Sequence, residues 1–126
     1  MPSVPPDMSE YDAITKVVQH YIDGARSGRT EDMKPAFHKD ATIFGLDGPD
    51  LFAGPIKKLF DYLDDENAPA PELKAQITSI DLVETIATVR LELDNWTGIR
   101  FSDMFTLLKI DGEWKIINKV FHQHNE

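Results

Sequence analysis

Near residue 73 the spacing of apolar residues changes from every third or fourth position to every second, which divides the chain into a helical half and a stranded half. Upstream, Ile14, Val17, Val18, Tyr21, Ile22 and Ala25 recur at helical spacing. They predict an amphipathic helix over about 8–27, opened by a capping-box pair Asp7 and Glu10 and stopped by Gly28. Thr30 is the expected N-cap of a short second helix carrying Met33 and Phe37. A short strand over 41–46, a turn at Asp47-Gly48-Pro49 and a second short strand over 51–53 follow. Gly54-Pro55 should open a third helix with Ile56, Leu59, Phe60 and Leu63 on its apolar side. Downstream, residues 73–84, 85–96, 100–110 and 113–124 read as four strands, and Asp111-Gly112 is a hairpin turn.

Helices first and long strands after define an α+β fold. With 126 residues, 41% of them hydrophobic and 28% charged, one domain has material for a full core. The domain should run over 8–126, behind a flexible arm at 1–7. The chain has no cysteine, which excludes thiolate catalysis and thiolate zinc sites. A formal net charge of -9 argues against nucleic acid and anionic membrane surfaces as partners. MPSVPPD lacks the basic and apolar regions of a signal peptide, and no apolar run has the length of a membrane span, so a cytoplasmic location is expected.

The hairpin allows a register to be drawn. With a two-residue loop, Ile110 lies opposite Glu113, Phe105 opposite Asn118, Asp103 opposite Val120 and Phe101 opposite His122. Phe101, Asp103, Phe105 and Leu107 then share a face with Trp114, Ile116, Asn118, Val120 and His122. A carboxylate and an imidazole on an apolar face form a candidate acid/base pair, so Asp103 and His122 are the candidate catalytic residues. The bland alternative is that Asp103 accepts hydrogen bonds from Asn118 or a helix tyrosine and sets packing. Tyr21, Phe44, Phe60, Trp96, Phe101, Phe105 and Asn118 are the expected ligand-binding residues. Tyr21 and Trp96 serve equally well as ordinary core. His122 and His124 at i, i+2 share a strand face and His38 is a conceivable third ligand, but His124 lies near the fraying end of the sequence and no H-E-x-x-H-like motif is present, so neither metal nor cofactor is expected. Gly45, Gly48 and Gly54 read as turn glycines rather than a phosphate loop.

The last two strands are apolar on both faces, with Met104, Leu108 and Ile110 on the second. Helices enough for one face leave the other for a partner subunit, so a homodimer is expected. In the competing monomer, Lys115 and Lys119 shield that face.

The first two helices, the segment Ala36-Phe-His-Lys-Asp-Ala-Thr42 and the final run from Phe101 to His122 resemble the nuclear-transport-factor-2-like superfamily of cystatin-like folds. They are most similar to its branch of lumazine-binding and polyketide-cyclase-like proteins. The resemblance implies helices packed on a strongly curved antiparallel sheet that forms a cone-shaped pocket, with dimerisation through the outer sheet face. It implies a small-molecule-binding domain. The alternative is a small cofactor-independent isomerase, dehydratase or cyclase using Asp103 and His122 for proton transfer, and a third option is an interaction dimer with a vestigial pocket.

Overall fold

A computed structural model of the chain describes residues 8–124. The expected arm at 1–7 and the Asp7 half of the capping box lie outside these residues. Helix α1 (Met8–Ser27) buries Ile14, Val18, Tyr21, Ile22 and Ala25. Gly28 ends it with φ 75° while its N–H donates to the Gly24 carbonyl, a backbone turn that favours glycine. Glu10 anchors the start of the helix to the sheet, accepting hydrogen bonds from Lys109 Nζ at 2.7 Å and Trp114 Nε1 at 3.1 Å.

Helix α2 (Thr30–Met33) and one 3₁₀ turn (Lys34–Ala36) lead into strand β1 (Phe37–Asp47). The cap position of α2 is Arg29, not Thr30, whose hydroxyl instead donates to Asp64 Oδ1 at 2.8 Å. Strand β2 (Asp50–Pro55) folds back on β1, and helix α3 (Lys57–Glu66) follows. Pro55 closes β2 rather than opening the helix, and Ile56 takes the cap position. The proline-rich connection is tied to α1: the Ala70 N–H donates to the Arg26 carbonyl, and Arg26 Nε donates to the Leu73 carbonyl.

Strands β3 (Lys74–Val83), β4 (Ile86–Trp96), β5 (Ile99–Ile110) and β6 (Glu113–His124) complete the sheet. The six strands run in the order β2-β1-β6-β5-β4-β3. All neighbours are antiparallel except β1 and β6, which pair in parallel and bring the first strand beside the last. The Asp111-Gly112 turn has φ of 51° and 80°, as a type I′ hairpin requires. The sheet is not closed. Register irregularities in β3/β4, β4/β5 and β5/β6 bend it, since a bulged strand kinks and twists more strongly. Its inner face packs against the helices in one buried cluster.

The irregularity between β5 and β6 corrects the expected register. Leu107 pairs with Ile116, but Thr106 pairs with Asn118, so Ile117 is the extra residue of a bulge. From there to the chain end every β6 residue is displaced by one. Asp103 faces Phe121 instead of Val120, Phe105 faces Lys119 instead of Asn118, and Phe101 faces Gln123 instead of His122. A one-residue shift turns side chains to the opposite face. Asn118, Val120 and His122 therefore belong to the outer face, and Lys119 to the inner one.

Candidate functional site

Two rows of the inner face meet at a buried charge pair. One row runs Ile43–Lys119–Phe105–Val89, and the next runs Gly45–Phe121–Asp103–Leu91. Lys119 and Asp103 are diagonal neighbours, close enough for a long side chain to span. Lys119 Nζ lies 3.7 Å from Asp103 Oδ1, with the residues only 3% and 0% exposed. The same nitrogen sits 4.6 Å from the centre of the Phe121 ring and 5.6 Å from that of Tyr21. Neither Asp103 oxygen nor the Tyr21 hydroxyl has a hydrogen-bond partner among the described residues.

These surroundings disfavour charge. At 3.7 Å the attraction of two unit charges is about 4 kcal/mol at an effective dielectric of about 20. Desolvation costs several kcal/mol for each ion, and only the approach of Tyr21 and Lys119 to Asp103 offsets it here. Burial therefore raises the Asp103 carboxyl above the ordinary range, although Lys119 opposes the shift. Burial likewise lowers the Lys119 ammonium, opposed by Asp103. Tyr21 is pushed well up by burial and then by the Asp103 carboxylate. Burial thus works against the charged form of both groups, and each group's charge works against the other's shift.

A cavity of about 160 Å³ opens between the sheet, α1 and α3, and Lys119 is part of its lining. Ala25, Ile43, Leu59, Trp96, Phe101 and Phe121 supply apolar wall. Asp47, Tyr62, Glu66 and Thr97 are exposed lining residues that form the rim. A cavity of about 150 Å³ is enough for a benzene-sized ring.

The expected site residues divide into three groups. Trp96 and Phe101 line the cavity, with ring centres 5.7 Å apart. Tyr21 and Phe105 stand behind that wall, fully buried, with Tyr21 edge-on to both Trp96 and Phe105. Phe60 is also buried, packed against Phe37 rather than in the lining. Phe44 is on the outer face and 44% exposed, paired with Val120 of β6. Asn118 is on the same outer face and donates to Thr42 Oγ1 at 3.0 Å. His122 pairs with Ser102 and stacks edge-on against His124, so the expected Asp103–His122 pair does not form. Of the other histidines weighed, His124 Nε2 lies 2.8 Å from Ser102 Oγ, and His38 Nδ1 accepts the Asp40 N–H.

Lys119 was missed because it read as an outer-face shield. Gly45 was missed because it read as a turn residue. It lies mid-strand in β1 directly opposite Phe121, and a Cβ there would run into the Phe121 ring. The glycine is the slot that lets this aromatic lie flat beside Lys119.

The family described as "Putative lumazine-binding" matches residues 9–122. The chain belongs to this family. It is similar to the aldolase FrzH of Cladobotryum sp, with 32% identity over 117 residues, covering 92% of this chain and 93% of that protein. Among solved structures it resembles an NTF2-like protein of unknown function from Methylobacillus flagellatus KT. That protein is 51% identical at a TM-score of 0.92, with 98% of each chain covered. A second NTF2-like protein of unknown function, from Shewanella baltica OS155, is 41% identical at a TM-score of 0.92, covering 98% of this chain and all of that one. The chain thus shares the cystatin-like, NTF2-like α+β architecture of these solved structures, and the family's description points to small-molecule binding.

Proposed function

We propose that the protein binds a small, neutral, mainly apolar molecule in the cavity over Lys119 and Asp103. The observation that carries this reading is the cavity itself: largely apolar walls include the buried Lys119, with Asp103 3.7 Å behind it, the usual anatomy of a small-molecule site. The rim carboxylates Asp47 and Glu66 and the net charge of -9 disfavour anionic ligands. The family description makes lumazine the first compound to try. A thermal-shift screen of lumazine and neutral ring fragments tests the reading, since a ligand that binds only the folded chain raises its stability. Hits should lose their shift in Leu63→Trp, which fills the cavity from α3. Hits that persist in that variant, or a response to anionic fragments alone, contradict it.

A second reading is favoured by one observation, the aldolase name of a relative that aligns over nearly the whole chain. An acid beside an amine is equipment for proton transfer at a carbonyl compound. Asp103 keeps the face expected of it, and Lys119, in the place expected of Asn118, supplies the partner that His122 does not. Turnover of a hydroxy-ketone in a retro-aldol assay, lost in Asp103→Asn, supports catalysis.

The outer face supports a homodimer. Phe44, Leu46, Met104 and Val120 are 44%, 55%, 61% and 46% exposed, and they adjoin one another across β1, β6 and β5. Of the two shields of the monomer alternative, Lys119 points the other way, and Lys115 donates to the Pro35 carbonyl. Sedimentation should give twice 14.3 kDa, falling toward 14.3 kDa in Val120→Glu. A wild-type mass already near 14.3 kDa rules the dimer out.

A further inference from the structure

Lys119 is an amine at the wall of a cavity, held among aromatic rings and next to one carboxyl group. Three features single it out among the nine lysines of the chain. It is 3% exposed yet lines the cavity. Its nearest charged neighbour is the fully buried Asp103, whose two oxygens have no hydrogen bonds among the described residues. Finally, it is flanked along the sheet by Ile43 and Phe105, which exclude water from the stem.

We propose that Lys119 condenses with the carbonyl carbon of a small neutral aldehyde or ketone held in the cavity, with Asp103 as its proton partner. This rests on the cavity being a small-molecule site, and it names the substrate class of that site.

The step balances within the pair. The Lys119 lone pair attacks the carbonyl carbon, and the carbonyl oxygen takes the Asp103 proton. The Asp103 carboxylate recovers a proton from the bound nitrogen, giving a neutral carbinolamine. Asp103 then protonates the carbinolamine hydroxyl, water leaves, and an iminium remains beside the Asp103 carboxylate. A neutral amine and a neutral acid have become an ion pair plus one water, with no oxidant or reductant consumed. A lysine desolvated in an apolar pocket is a recognised way to keep such an amine unprotonated, and burial lowers the Lys119 ammonium here. The iminium draws electrons from the neighbouring carbon, which is what making or breaking a carbon–carbon bond next to a carbonyl requires. The rim carboxylates explain why the carbonyl compound should carry no negative charge.

The test is reductive trapping on the full chain. Benzaldehyde is the probe, a ring of the size the cavity admits, with sodium borohydride as the trap and peptide mapping as the readout. Benzyl alcohol, which has the ring without the carbonyl, serves as the binding control by thermal shift. The expected result is a benzyl group on Lys119 before any other lysine. That label should be absent in Lys119→Arg and Lys119→Met, and formed about 100-fold more slowly in Asp103→Asn while benzyl alcohol still binds. Two variants at Lys119 guard against one that fails to fold. If benzyl alcohol binds but Lys119 stays unlabelled while exposed lysines react, the imine inference is overturned and the pocket stands. If neither compound binds, the pocket reading falls, and the inference falls with it.

Discussion

Lys119 and Asp103 lie one diagonal apart on the inner face of the sheet, Nζ to Oδ1 at 3.7 Å, and each is the other's only ion-pair partner within 4 Å among the described residues. Lys119 would not be there without the extra residue at Ile117. The bulge turns Lys119 inward and sends Asn118 and His122 outward.

The Tyr21 hydroxyl is buried behind the cavity wall without a hydrogen bond among the described residues. An unsatisfied buried hydroxyl costs about 1–3 kcal/mol. Tyr21→Phe should therefore leave stability unchanged or raise it by about 1 kcal/mol, read from urea denaturation. A loss of that size would mean the hydroxyl is bonded to Asp103 in solution.

The charge pair should imprint itself on the pH dependence of stability. Burial raises Asp103, so the folded chain holds that proton more tightly than the unfolded one. The stability this gives is complete below about pH 3.9 and is lost as pH rises through the raised value. Burial lowers Lys119, so the folded chain releases that proton more readily. Stability should climb as pH rises from the lowered value toward about 10.4. Asp103→Asn/Lys119→Met has neither titration. Wild type minus double variant, from urea midpoints across pH, should fall on the acid flank and rise on the alkaline one. A flat difference contradicts both shifts.

Gly45→Ala should cost about 1–3 kcal/mol, the usual price of forcing a methyl into a packed site. Phe121 must move, and it stacks edge-on against Phe52 and Phe101 while lining the cavity. Ligand-induced thermal shifts should therefore change along with the urea midpoint. A neutral substitution would show that the Phe121 ring is loosely held.

Much of the architecture was legible because it depends on local pattern. The helix over 8–27, the four long strands and the Asp111-Gly112 turn all follow from spacing and turn chemistry, and they lie where that reading put them. Asp103 was legible too, as the one acid interrupting Phe101, Phe105 and Leu107. The partner was not, because counting from the hairpin assumes an unbroken ladder. The clue was Ile116-Ile117, two adjacent apolar residues where strict alternation allows one. Lysine is almost never fully buried unless paired, so Lys119 read as a surface residue. Gly45 depends on the parallel pairing of β1 with β6, a contact between chain segments 76 residues apart that no local pattern reports.

The desolvated lysine at the cavity wall is observed directly by an NMR titration of the lysine side chains. With lysine labelled at the ε-carbon, one resonance should titrate below the ordinary range near 10.4, and it should vanish in Lys119→Met. Its midpoint should fall further in Asp103→Asn, where the favourable carboxylate is gone. If no lysine titrates below that range, or if the one that does survives in Lys119→Met, the buried amine is not where this structure puts it.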